Sequence, residues 1–253
     1  MKRRKCEIRN TKCPLEGTLG VFLMFFAFLM ISCNGDNVPD CFQNSGEMVR
    51  RPVDVSEFSA ITVFENLNVV LKQGDEQLVE VETGEYLLND VSAVVEDNRL
   101  VLRNANSCNY VRDYGLTTVY VTSPDITEIR SSTGLLISSD GVLNYPNLTL
   151  LAESYSNPET ETTDGSFDLN LNSTTIRITV NGIAYFKLQG NTDNFNVNVA
   201  AGDSRIEAGE LVSENVTVNH RGSNDVFVNP QQRLGGVIRG TGNVISVTTP
   251  PEV

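Results

Sequence analysis

Gly182, Gly202, Gly222 and Gly242 recur every 20 residues, and that period confines the second half of the chain to a stacked architecture. They sit in Val180-Asn181-Gly182, Ala200-Ala201-Gly202, His220-Arg221-Gly222 and Gly240-Thr241-Gly242. Alternating apolar residues precede them: Ile176, Ile178, Val180; Phe195, Val197, Val199; Val216, Val218. Alternation resumes after the first three, with Phe186 and Leu188, Ile206 and Ala208, Val226 and Val228. Each unit therefore reads as strand, glycine turn, strand, second turn. One such unit cannot bury its own apolar face, whereas stacked units share a continuous core. The prediction is an all-β stacked repeat, a parallel β-helix-like solenoid with short strands. The four glycines are its turn positions, where backbone takes positive φ or passes close over the rung below. The alternation slips by one residue around Phe195 to Val199.

The first half reads as β-structure too. Ile61 and Val63, Val69 and Leu71, Val79 and Val81, Leu100 and Leu102, Val119 and Val121 keep period two. Glu96-Asp97-Asn98 and Ser123-Pro124-Asp125 punctuate them as turns. The best helical candidate, Glu85 to Val91, is short.

The N-terminus follows another logic. Lys2, Arg3, Arg4, Lys5, Arg9 and Lys12 precede an apolar run, Leu19 to Ile31, of about 13 residues. A membrane-spanning helix needs about 20. A basic start, a short apolar run and small residues make a secretory signal over residues 1–32. Ser32-Cys33 closes it in the manner of a bacterial lipoprotein signal, although Met30 stands where an aliphatic residue such as Leu is usual. Cys33 is thus the predicted lipidation site, because several acyl chains on one residue give stable anchoring. Residues 33–49, with Gly35, Pro39 and Gly46, read as a flexible tether, and 50–250 as the folded domain. The expected location is the outer membrane, facing the cell surface or the periplasm.

The chain carries a formal net charge of −13; loss of residues 1–32, with six basic and two acidic residues, takes it to −17. Such a protein repels phosphate backbones, which excludes nucleic acid as a partner. After export and lipidation, Cys41 and Cys108 are the remaining thiols. An even pair in an oxidising compartment reads as a possible disulfide, with two free thiols as the alternative.

Catalytic chemistry finds little support. His220 is the sole histidine and sits at a repeated turn, so it reads as a strand-end residue. Neither a His-based metal site nor a phosphate-binding glycine loop is present, and no cofactor is expected. Glu153, Glu159, Glu161 and Asp164 cluster in sequence and could serve polysaccharide cleavage, but Ser154 to Thr163 has the composition of a solvated loop. Tyr110, Tyr114, Tyr120, Tyr155 and Tyr185 could offer stacking surfaces.

Several stretches resemble one known family. Arg51-Pro52-Val53-Asp54-Val55-Ser56-Glu57-Phe58-Ser59-Ala60-Ile61 is similar to the opening of the head GIN domain of autotransporter adhesins. Val69-Val70-Leu71-Lys72-Gln73-Gly74, Val119 to Ile129 and the closing Gly240-Thr241-Gly242-Asn243 follow in the family's order. The resemblance spans about residues 50–250. It implies an exported β-helical domain, often a lipoprotein of Bacteroidetes-like bacteria, with adhesion as its suggested role and no catalytic residue. The resulting expectation is a non-catalytic adhesin or ligand-binding module, held to the membrane by lipid, with an unidentified glycan or protein ligand. A polysaccharide-active enzyme and a structural or signalling envelope protein are the alternatives.

Overall fold

The computed structural model describes residues 40–253 apart from Glu65, Ser107, Val111, Arg112, Pro158, Thr160 and Glu161. The predicted signal, the Cys33 anchor and the start of the tether lie outside the described residues. The remainder of the predicted tether is built into the fold: Asp40–Phe42 form a 3-10 turn, and Met48 already belongs to the first strand.

Among the described residues fifteen strands form one sheet. In chain order they are β1 (Met48–Val53), β2 (Ala60–Val63), β3 (Asn68–Gln73), β4 (Leu78–Gly84) and β5 (Val91–Glu96). Then come β6 (Arg99–Asn104), β7 (Thr118–Ser123), β8 (Glu128–Ser131), β9 (Leu136–Leu143) and β10 (Asn147–Ala152). The last five are β11 (Ser166–Gly182), β12 (Tyr185–Gly202), β13 (Arg205–His220), β14 (Val226–Ile238) and β15 (Val244–Ser246). The helical candidate at residues 85–91 is a 3-10 turn, Glu85–Asp90.

β11 shows how one sheet encloses a core. Its first arm, from Ser166, pairs parallel with β9. Its second arm, from Thr175 to Val180, pairs parallel with β10. The sheet therefore bends at β11 into two faces. β1, β4, β7, β3 and β9 lead into the first arms, and β5, β6, β2, β8 and β10 lead into the second arms. Apolar side chains from both faces, among them Leu71, Val121, Phe167 and Phe186 on one and Ile61, Leu100, Ile178 and Val197 on the other, form a single buried cluster. Equivalent residues stack from rung to rung, as Phe167 does on Phe186 with centroids 4.8 Å apart.

The all-β expectation holds, but two features depart from a uniform stack of short strands. First, β1, β4 and β7 pair antiparallel, as do β5 and β6. Asp97 and Asn98, at φ 48° and 63°, make the two-residue hairpin turn between β5 and β6. Second, β11 to β14 run 13 to 18 residues each. The reason is physical: parallel rungs keep hydrogen bonding through the corner between their two arms, so the predicted second turn does not interrupt the strand.

The glycine turns stack directly. Asp203 N–H donates to Gly182 O, Ser223 N–H to Gly202 O, and Thr241 N–H to Gly222 O. A Cβ on Gly202 would lie 2.1 Å from Gly182 O, and one on Gly240 would lie 2.0 Å from Gly222 O. The fourth rung of this ladder is thus Gly240. Gly242 is also held on this turn, its N–H donating to Gly222 O at 3.1 Å, while its Cβ position lies 2.1 Å from Asn224 O. The shift follows from a shorter coil: His220 pairs with Ile238, whereas Val199 pairs with His220. The slip seen near Phe195 is a bulge, because Val180 pairs with Val199 but Asn181 with Ala201.

Cys41 and Cys108 form a disulfide with Cα atoms 4.5 Å apart. It ties the entry segment to the loop after β6, and Tyr110 N–H donates to Cys41 O beside it. Because 67 residues separate the cysteines, reduction should release an appreciable loop entropy and lower stability by about 4 kcal/mol. Thermal melts with and without reductant, repeated on Cys108→Ser, test this. An unchanged melting temperature would remove the bond's structural role.

Candidate binding face

The residues considered for catalysis are not assembled. Glu153 is not in a solvated loop: its side chain is 1% exposed and pairs with Arg130, 8% exposed, at 2.7 Å. Arg130 also donates to Glu153 O at 2.9 Å and to Ser156 Oγ at 2.9 Å. The Ser156 N–H and hydroxyl both donate to the Glu153 carboxylate. Burial pushes the Glu153 carboxyl upward, but Ser156 and Arg130 outweigh it and hold the group below its ordinary value. It is a structural anion with no free face. Glu159 reaches instead to Arg103 at 2.7 Å on the surface. Asp164 lies against Gly134, and Glu161 is outside the described residues. His220 ends β13 in the core column above Val180 and Val199, fully buried. Gly222 N–H donates to its Nδ1, and its Nε2 meets Asn224 O at 2.9 Å. With both ring nitrogens engaged by backbone, the residue pins the glycine turn. Among the described residues no group of three or more His, Cys, Asp or Glu is placed to hold a metal ion.

The five tyrosines are spread over the loop after β6, the segment after β10 and the first face. Tyr110 and Tyr114 stand exposed after β6, and Tyr155 follows β10. Tyr185 lies on β12 of the first face, and Tyr120 on β7 donates to Glu82 at 2.7 Å beneath Arg50.

What the sheet does present is a contrast between its two faces. Outward positions of the first face carry paired charges: Lys187 with Asp168 at 2.9 Å and Arg205 with Glu207 at 2.6 Å. Outward positions of the second face carry amides and hydroxyls. Pairing aligns Arg177 with Asn196 and Thr217, and Thr179 with Asn198 and Asn219. Asn194 and Asn215 continue the pattern at the corner. Asn219 donates to Asn198 across the rungs at 3.0 Å. Among the described residues the side chains of Thr179, Asn196 and Thr217 make no hydrogen bond, and Arg177 makes no ion pair. This face was missed in the sequence because its residues lie 19 to 21 apart; the signal was there in the alternation of Asn and Thr with the core valines.

Fold and face together define a class: an all-β domain whose sheet wraps one core and presents broad, regular faces. The chain belongs to the family described as "Putative auto-transporter adhesin, head GIN domain", which matches residues 57–250. Among curated proteins none matches it. Among solved structures, a putative adhesin from Bacteroides fragilis is similar at 18% identity and TM-score 0.64, covering 79% of this chain and 97% of that one. A putative adhesin from Parabacteroides distasonis is similar at 15% identity and TM-score 0.54, over 82% and 98%. A protein from the same organism described as a putative lipid binding protein is similar at 14% identity and TM-score 0.50, over 82% and 97%. At these identities the likeness extends to fold alone. Among the described residues no helix is long and apolar enough to cross a membrane.

Proposed function

We propose that this chain is a non-catalytic binding module of the cell envelope, displayed on the outer membrane through lipid on Cys33, and that β11 to β15 form the coil of a parallel β-helix. The observation that carries the reading is the polar outward face of β11, β12 and β13, which holds amides and hydroxyls with Arg177 and no carboxylate among its aligned residues, on a chain of net charge −13. Membership of an adhesin-named family supports it. So do the ion pairs of Glu153 with Arg130 and of Glu159 with Arg103, which commit to separate partners the two carboxylates named first for polysaccharide cleavage. A rigid sheet face positions many weak contacts at fixed spacing, as adhesion through repeated copies requires.

The test is protease shaving of intact cells followed by mass spectrometry, on wild type and Cys33→Ala, with cell attachment measured in a deletion strain. Native protein should be cleaved from intact cells, the variant should leave the membrane fraction, and deletion should reduce attachment. Protection of the native protein in intact cells would place it facing inward and sink the reading.

A further inference from the structure

We propose that the grid of Arg177, Asn196, Thr217, Thr179, Asn198 and Asn219 binds an extended, uncharged polysaccharide lying across the strands. The inference rests on the binding-module reading and adds the ligand's chemical class.

Charge narrows the choice first. The chain has 32 acidic against 19 basic residues, so a polyanion meets repulsion on approach. A cationic ligand needs carboxylates, and the grid has none. Its single charge is Arg177, which faces solvent without an ion-pair partner among the described residues.

Hydrogen-bonding character narrows it further. Amides and hydroxyls each both donate and accept. Sugar hydroxyls have the same dual character, so they can exchange bonds with water for bonds with this face at no change in net charge. Thr179, Asn196 and Thr217 are uncommitted to other side chains, and Asn198 and Asn219 already show that neighbouring rungs can be bridged by one hydrogen bond.

Geometry then sets the direction. Adjacent rungs are spaced about 4.8 Å, and outward residues two apart on one strand about 7 Å. A chain running along a strand stays on one rung and reaches only that rung's outward residues, such as Asn194, Asn196 and Asn198 on β12. A chain crossing the strands meets Arg177, Asn196 and Thr217 in line, flanked by Thr179, Asn198 and Asn219 in line. Only the second direction engages side chains of several rungs at once, as a polymer held by many weak contacts requires. No aromatic residue is in the grid, so single contacts are weak and binding depends on several rungs acting together.

Affinity electrophoresis of the mature protein decides the matter, in gels containing hydroxyethyl cellulose, starch or galactomannan and, separately, alginate or hyaluronate. At least one neutral polymer should retard the protein. The Asn196→Asp, Thr217→Asp double variant should bind it at least about tenfold more weakly, with an unchanged melting temperature, because both side chains face outward. Lys187→Ala on the opposite face should bind as wild type. No retardation by any neutral polymer, retardation by the acidic polymers only, or undiminished binding by the double variant would each overturn the proposal. Cell attachment without neutral-polymer binding would leave the binding module standing with another ligand; polymer binding by a protein shielded from protease would leave the ligand class standing and remove surface display.

Discussion

Replacing Glu153 with Gln should destabilise the fold by about 3–5 kcal/mol, since it leaves the Arg130 guanidinium buried without its counter-charge. For a domain of this size that corresponds to a fall in melting temperature on the order of 10 °C. The geometry supports the upper part of the range. Arg130 and Glu153 are nearly excluded from water, and four further hydrogen bonds, involving Ser156 and the Glu153 carbonyl, close around them. Arg130→Met should be milder, because an orphaned carboxylate can take up a proton and an orphaned guanidinium cannot release one. The double variant Arg130→Met, Glu153→Leu should recover much of the loss, because a buried pair is often no more stabilising than well-packed apolar groups. A double variant as unstable as Glu153→Gln would show that the network, not the uncompensated charge, matters.

The same pair makes stability depend on acid. The folded state holds Glu153 below its ordinary value, so it binds that proton less readily than the unfolded chain. The contribution is therefore complete above the unfolded pKa of about 4.3, and it disappears as pH falls through the lower folded value. Urea melts at stepped pH should show wild type losing stability below about pH 4.5 more steeply than the apolar double variant.

Arg130 and Glu153 also show where sequence reading stopped. Ser154 to Thr163 has a loop's composition, and nothing local signals that Glu153, just ahead of it, is buried beneath a guanidinium 23 residues earlier. Local patterns were legible wherever the cause was local. Period-two alternation marked the strands, Glu96-Asp97-Asn98 marked a turn that the structure forms as a hairpin, and the recurring glycines marked one edge of the stacked strands. The other corner was legible only as polar residues between strands, because the ladder runs through it without a breaker. The polar face was legible as alternating Asn and Thr, but not its neighbours, for a related reason. Which Asn or Thr stands beside which depends on register, and that changes with the bulge at Ala200 and the shortened coil after His220.

The glycine ladder is where the largest backbone effects are expected, and three substitutions to Ala separate their causes. Gly141 has φ +87° with nothing within 4 Å of its Cβ position, so Gly141→Ala reports strain alone, about 1 kcal/mol. Gly240 lies outside the positive-φ region, but its Cβ would sit 2.0 Å from Gly222 O, so Gly240→Ala reports the clash alone. Gly202 combines φ +93° with a Cβ 2.1 Å from Gly182 O. The atom in the way is backbone in both clashing cases, so no side chain can swing aside and the rungs must separate. Separation breaks the bonds by which Gly182 O and Gly222 O accept from the next rung. Gly202→Ala should therefore exceed Gly141→Ala by at least about 1 kcal/mol, since the strain is common to both and the excess comes from the clash and the hydrogen bond it breaks. Gly240→Ala should fall between them, because its rung is the last full one and can lift away from β13. Chemical denaturation of the three variants gives the order directly. Equal effects at Gly141 and Gly202 would mean that the stacked turns are loose and that the 20-residue period reflects turn conformation, not contact between rungs.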